Sequence, residues 1–177
     1  MSQIYYPELL HSSRVAGAAV TAASATSVLP SESLVTLPGH FIKNVGQVLR
    51  LEAAGKVTVA ATTPGTPKWT VKLGSTTVFD GATMTCGTAG YSNYSWDLCI
   101  DLTVRAVGAS TTTTLIGTGR FTSEILAAGC VTLPARSAPA VGTGVDATSS
   151  LVVDLVWTQT AATGSITCEV FRLWAIN

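Results

Sequence analysis

The sequence predicts an all-β protein: an eight-stranded antiparallel β-sandwich, jelly-roll-like, with an extended N-terminal arm. Three observations point there. Apolar residues recur with a period of two from about residue 40 onward, glycine and proline turns punctuate those stretches, and no stretch holds a clean helical spacing. Runs of strands without intervening helices, and without a repeat of fixed period, favour a sandwich over a solenoid or propeller. The 177 residues suit one domain. It divides into an arm over 1–38 and a sandwich over 39–177.

Residues 12–38 are mostly Ala, Ser, Thr, Val and Leu, with Pro30 and Pro38. A helix near residues 15–25 is disfavoured by Val20, Thr21, Ser24 and Thr26, whose branched or hydroxyl side chains weaken helices. An arm of this kind buries little alone and is expected to become ordered across a neighbouring subunit.

Strands are expected at 40–44, 47–60, 68–73, 76–79, 95–107, 111–125, 151–160 and 165–175. The clearest sets Trp96, Leu98, Ile100, Leu102 and Val104 on one face and Asp97, Cys99, Asp101, Thr103 and Arg105 on the other. Trp69, Val71 and Leu73 alternate with lysines and a threonine, and Leu151, Val153, Leu155 and Trp157 alternate in the same way. The last strand carries apolar groups on both faces, which suits a central or interfacial position. Tight hairpins are expected at Gly74-Ser75 and at Thr163-Gly164 between the last two strands. The Pro-, Ala- and Gly-rich stretch 126–150 reads as one long loop, of a length usually functional or ordered by a partner.

Charge is scarce. Only 11% of residues are charged and 47% are apolar, against about 25% charged in ordinary soluble domains. A surface of hydroxyls, methyls and backbone favours burial against neighbours, so the chain reads as part of an assembly. The formal net charge is zero and the basic residues are scattered, so neither nucleic acid nor an anionic membrane is an expected partner. The opening residues lack the pattern of a secretion signal and no run is long enough to span a bilayer, so a cytosolic site of synthesis is expected.

Residues that could carry chemistry are few. His11 and His40 are the only histidines, and their spacing assembles no triad with a nucleophile. Asp97 and Asp101 lie on one strand face about 13 Å apart, wider than the ~5 to 9.5 Å that glycosidase pairs use. Asp154 and Glu169 are expected on the final hairpin, facing each other or Arg105 and Arg172. Gly117-Thr118-Gly119-Arg120 is half of a phosphate-binding fingerprint and reads as a bulge or bend in a strand. The cysteines, Cys86, Cys99, Cys130 and Cys168, show no metal-binding spacing. Two readings stay open for them: reduced buried thiols, or one disulfide with Cys86 and Cys99 the nearest pair. Trp96, Trp157 and Trp174 read as core. Tyr91 and Tyr94 beside Asn93, with Pro134, Arg136 and Pro139 of the long loop, form the candidate interface or glycan contact. No cofactor, metal or enzymatic activity is expected.

The order of several segments resembles a family. Leu37-Pro38-Gly39-His40-Phe41-Ile42, then Gly46-Gln47-Val48-Leu49-Arg50-Leu51-Glu52-Ala53-Ala54-Gly55-Lys56-Val57, is similar to an opening common in small all-β structural proteins of tailed bacteriophages. Val71-Lys72-Leu73-Gly74, Trp96 through Arg105, Gly117-Thr118-Gly119-Arg120-Phe121 and Val145-Asp146-Ala147-Thr148 before Leu151 extend the likeness over about residues 34–177. The cysteines and the Tyr91–Trp96 stretch depart from the pattern. The resemblance implies a non-enzymatic virion component assembled in the host cytoplasm: a capsid decoration or cement protein, clustered as a homotrimer on the major capsid protein. A tail-associated or host-glycan-binding module is the alternative.

Overall fold

The computed structural model describes residues 6–126 and 128–176, so Met1–Tyr5 of the expected arm lie outside the described residues. Among the described residues twelve strands form two antiparallel sheets packed as a sandwich. The seven-stranded sheet has the order β1 (Pro7–Ser12), β12 (Ser165–Ile176), β4 (Val48–Val59), β7 (Tyr91–Ala106), β8 (Thr113–Ser123) and β10 (Val141–Val145), with β9 (Cys130–Leu133) also on β8. The five-stranded sheet has the order β2 (Thr26–Ser27), β11 (Leu151–Thr158), β5 (Lys68–Leu73) and β6 (Thr76–Asp80), with β3 (Thr36–Leu37) also on β11.

The inward half of each alternating strand builds the core. Leu49 and Leu51 of β4, Leu98, Ile100 and Leu102 of β7, Val71 and Leu73 of β5, and Val153 and Leu155 of β11 are all buried. At its centre Trp69 packs against Trp157 at 4.7 Å, Trp96 at 5.1 Å and Phe121 at 5.8 Å between ring centroids. Such tilted and edge-on pairs add about 0.5–1.5 kcal/mol each beyond the area they bury.

Twelve strands replace the eight expected, because the arm and the long loop also form strands. Main-chain groups of the arm find partners on sheet edges: β1 on β12, β2 and β3 on β11. The first limb follows β12 through Ser13, Gly17 and Val20; the second returns along β11 through Val28 and Val35. A short 3-10 turn, Ser31–Ser33, lies within the second limb. The arm therefore clasps its own sandwich, where the sequence suggested a reach across a neighbour. Gly17 permits the limbs to meet, since a side chain there would drive into the Val28 carbonyl. On the opposite flank, the Thr76 hydroxyl of β6 donates to the Gly144 carbonyl of β10 at 3.1 Å, tying the two sheets together.

Other expectations are corrected. Residues 40–44 form a turn region, with His40 at φ 64° and its amide on the Ala147 carbonyl. The 126–150 stretch contributes β9 and β10. The last two strands are not a hairpin: β11 and β12 lie in different sheets, and residues 159–164 cross between them. The Gly74-Ser75 hairpin joins β5 to β6 as expected. In β12 a register shift between Cys168 and Val170 moves the buried set from Ile166 and Cys168 to Phe171, Leu173 and Ala175. This phase change explains the apolar residues on both faces. It also turns Trp174 outward, where its Nε1–H donates to Glu52 at 3.1 Å, and leaves the core indoles to Trp69, Trp96 and Trp157. Gly117 and Gly119 sit in unbroken register with β7, not in a bulge. At Gly117 the Phe79 ring from the opposite sheet occupies the space of a side chain.

Candidate functional site

Tyr91 and Tyr94 open β7 where its register with β4 shifts between Val57 and Val59. Asn93, at φ 57°, donates its amide to the Thr58 hydroxyl at 3.1 Å and turns the chain so that the two rings meet edge to face at 5.2 Å. Tyr91 packs on the core, while Tyr94 is 38% exposed. Pro134 is buried just after β9 and lines a groove of about 370 Å³ with Lys68, Phe79 and Asp80. The Lys68 ammonium lies 2.9 Å from Asp80 there. Arg136, exposed and at φ 54°, lines a separate hollow of about 150 Å³ with Met84, Leu126 and Val131. Pro139 is exposed ahead of β10. Neither hollow is lined by a tyrosine or by Pro139, so the five candidate residues are not brought together at one site.

The outward half of β4, β7, β8 and β12 forms a surface of a different kind. Register places Arg50 beside Asp101, Glu52 between Arg172 and Cys99, Arg120 beyond Cys99, and Asp97 beside Ala54. Arg50 grips Asp101 through two hydrogen bonds of 2.7 and 2.9 Å, and Lys56 reaches Glu169 at 2.9 Å. Ionised residues of both signs thus gather on one sheet face of a chain that has only 10 basic and 10 acidic residues. Ala54 is small and β12 bulges beside it, leaving a hollow of about 160 Å³ rimmed by Glu52, Asp97, Cys99 and Arg172.

The final carboxylates do not face each other. Asp154 accepts a hydrogen bond from Ser27 of the arm, and burial raises its pKa; Glu169 is on the other sheet with Lys56. Asp101 belongs to Arg50, which leaves Asp97 without an ion pair among the described residues.

One nucleophile–base contact exists that the sequence reading missed. His11 Nε2 lies 2.9 Å from the Ser33 hydroxyl, across the two limbs of the arm and 22 residues apart. Ser33 is wholly buried, so a substrate has no path to its oxygen, and the pair acts as a latch. Beside it, the Glu32 carboxylate accepts the amides of Arg14 at 2.7 Å and Val15 at 3.1 Å, and the hydrogen bond from Arg14 leads the effects that lower its pKa.

All four cysteines are free, so Cys86 and Cys99 are not bridged. Cys86 and Cys168 are buried, and desolvation pushes their thiols up to about 11 and about 12. Cys130 is exposed, contrary to the buried reading, because β9 turns it outward at the sheet margin. Among the described residues no three His, Cys, Asp or Glu side chains converge on a metal position, and no helix is long and apolar enough to cross a membrane. Compared with known proteins, the chain matches no family model, no curated protein and no solved structure.

Proposed function

We propose that this chain is a non-enzymatic structural subunit of a virion, a capsid decoration or cement protein that stabilises a phage head through contacts between subunits. The observation that carries the assembly reading is the apolar surface left on the arm. Tyr6 is 74%, Val15 54%, Leu9 47% and Leu34 37% exposed, with Leu9 on the same outer face of the large sheet as Trp174 and Arg50. Interface cores are enriched in apolar groups, so these side chains suit contact with a neighbouring subunit. The virion assignment rests on the ordered segments that resemble phage structural proteins, and a two-sheet sandwich is compatible with it.

A cement protein stabilises a shell because it binds assembled subunits better than free ones, an effect repeated at every lattice site. A homotrimer suits threefold positions on such a shell. The test is co-sedimentation of the purified chain with shells of the phage that encodes it. Saturable binding and a raised shell melting temperature are expected; absence of binding at micromolar concentration overturns the proposal. The Tyr91–Tyr94 pair favours a second reading, a tail-associated module that stacks host glycans on Tyr94. Sugar-dependent quenching of fluorescence, lost in Tyr94→Ala, would replace the first reading with the second.

A further inference from the structure

We propose that the hollow beside Arg136 is a socket for Tyr6 and Glu8 of a second copy of this chain, so that copies join head to tail. The inference deepens the assembly-subunit proposal, on which it rests, by naming the partner and the side chains that meet. The hollow measures about 150 Å³, the size of an apolar cavity that accepts a benzene ring. Met84, Leu126, Val131 and Ala135 give it apolar walls, and Thr83 and Thr85 add hydroxyls. Arg136 is exposed and forms no ion pair among the described residues. A lining of this kind fits a phenol ring with a carboxylate close to it.

This chain carries such a pair in solvent. Tyr91 packs on the core and Tyr94 meets it edge to face, but Tyr6 is 74% exposed. Glu8 follows two residues later, so in an extended chain it projects to the same side about 7 Å away. It too is exposed and has no ion pair among the described residues. Plug and socket lie at opposite margins of the large sheet. β1 ends one side and β9, which carries Val131, ends the other, five strand spacings or about 24 Å away. One chain cannot fill its own socket, and complementary features on opposite margins make a heterologous contact. Such a contact closes as a ring when the rotation between copies divides a full turn, as in a homotrimer. Tyrosine and arginine are side chains on which interface energy concentrates, and the carboxylate–guanidinium pair fixes the register.

Tyr6→Ala removes the plug and Arg136→Glu spoils the socket; both positions are exposed, so the fold is retained, which circular dichroism checks. Sedimentation equilibrium at micromolar concentration is expected to show an oligomer for the natural chain and association about 30-fold weaker for each variant, the loss of one interface anchor. Mixing the two variants leaves one working plug facing one working socket, so two-chain complexes form and grow no further. Glu8→Arg combined with Arg136→Glu restores the full oligomer. Variants that assemble as well as the natural chain, or a mixture that stays monomeric while the natural chain oligomerises, overturn the socket and leave the assembly proposal standing. A natural chain that is a lone monomer also overturns the socket, whereas the assembly proposal falls only when shells fail to bind.

Discussion

Replacing Trp69 by phenylalanine sets two opposing effects against each other at the centre of the sandwich. Trp69 is wholly buried, and its Nε1–H has no acceptor among the described residues. Shrinking indole to phenyl removes two carbons, about 0.8 kcal/mol each by transfer, or about 1.6 kcal/mol, before any cavity contribution. Removing a buried donor without a partner returns about 1–3 kcal/mol. The two nearly cancel, and Trp69→Phe is expected within about 1 kcal/mol of the natural chain. Trp157 is the control. It is also buried, but its Nε1–H donates to Gln159 Oε1 at 3.3 Å. Trp157→Phe loses the same carbons and also leaves a buried acceptor unpaired, so a loss of about 3 kcal/mol is expected. Urea unfolding followed by far-ultraviolet circular dichroism reads both variants without relying on tryptophan emission. Equal losses for the two would show that the Trp69 donor is satisfied after all and refute the reasoning.

Gly17→Ala puts a methyl group against the Val28 carbonyl, so the limbs of the arm must separate. Faster proteolysis within residues 7–37, with the body intact, is the expected result; unchanged cleavage would show that the limbs shift without opening. Glu32 is held below its ordinary pKa by the amide of Arg14 first. A depressed acid stabilises fully above its unfolded value and loses that contribution as pH falls through its folded one, so arm protection should fade below about pH 4.5. Hydrogen exchange from Arg14 and Val15 should show this fading, and Glu32→Gln should abolish the pH dependence. Thiol labelling under native conditions should modify Cys130 first and leave Cys86 and Cys168 until unfolding, since burial disfavours their thiolates. Early loss of the Cys168 thiol would show that the β12 bulge opens.

Features that depend on neighbours along the chain can be read from residue order alone. A period of two places alternate residues on opposite faces whatever the strand later pairs with, so the strands β4, β5, β7, β8 and β11 were legible, with the buried faces of β5, β7 and β11, as was the Gly74-Ser75 turn. Features that depend on groups remote along the chain emerge when the strands pair and the sheets pack. Which sheet receives β11 and which β12 is set by the edges each finds, and the arm's strands exist because those edges have main-chain groups to satisfy. The shift at Cys168 and Val170, invisible to a fixed period, turned Trp174 outward. The candidate residues were scattered for the same reason: proximity along the chain joined Tyr91 to Tyr94, and nothing local could place either against Pro134 or Arg136. His11 meeting Ser33, and the gathering of charge on one sheet face, arise from pairings between distant strands, which composition counts and cannot arrange.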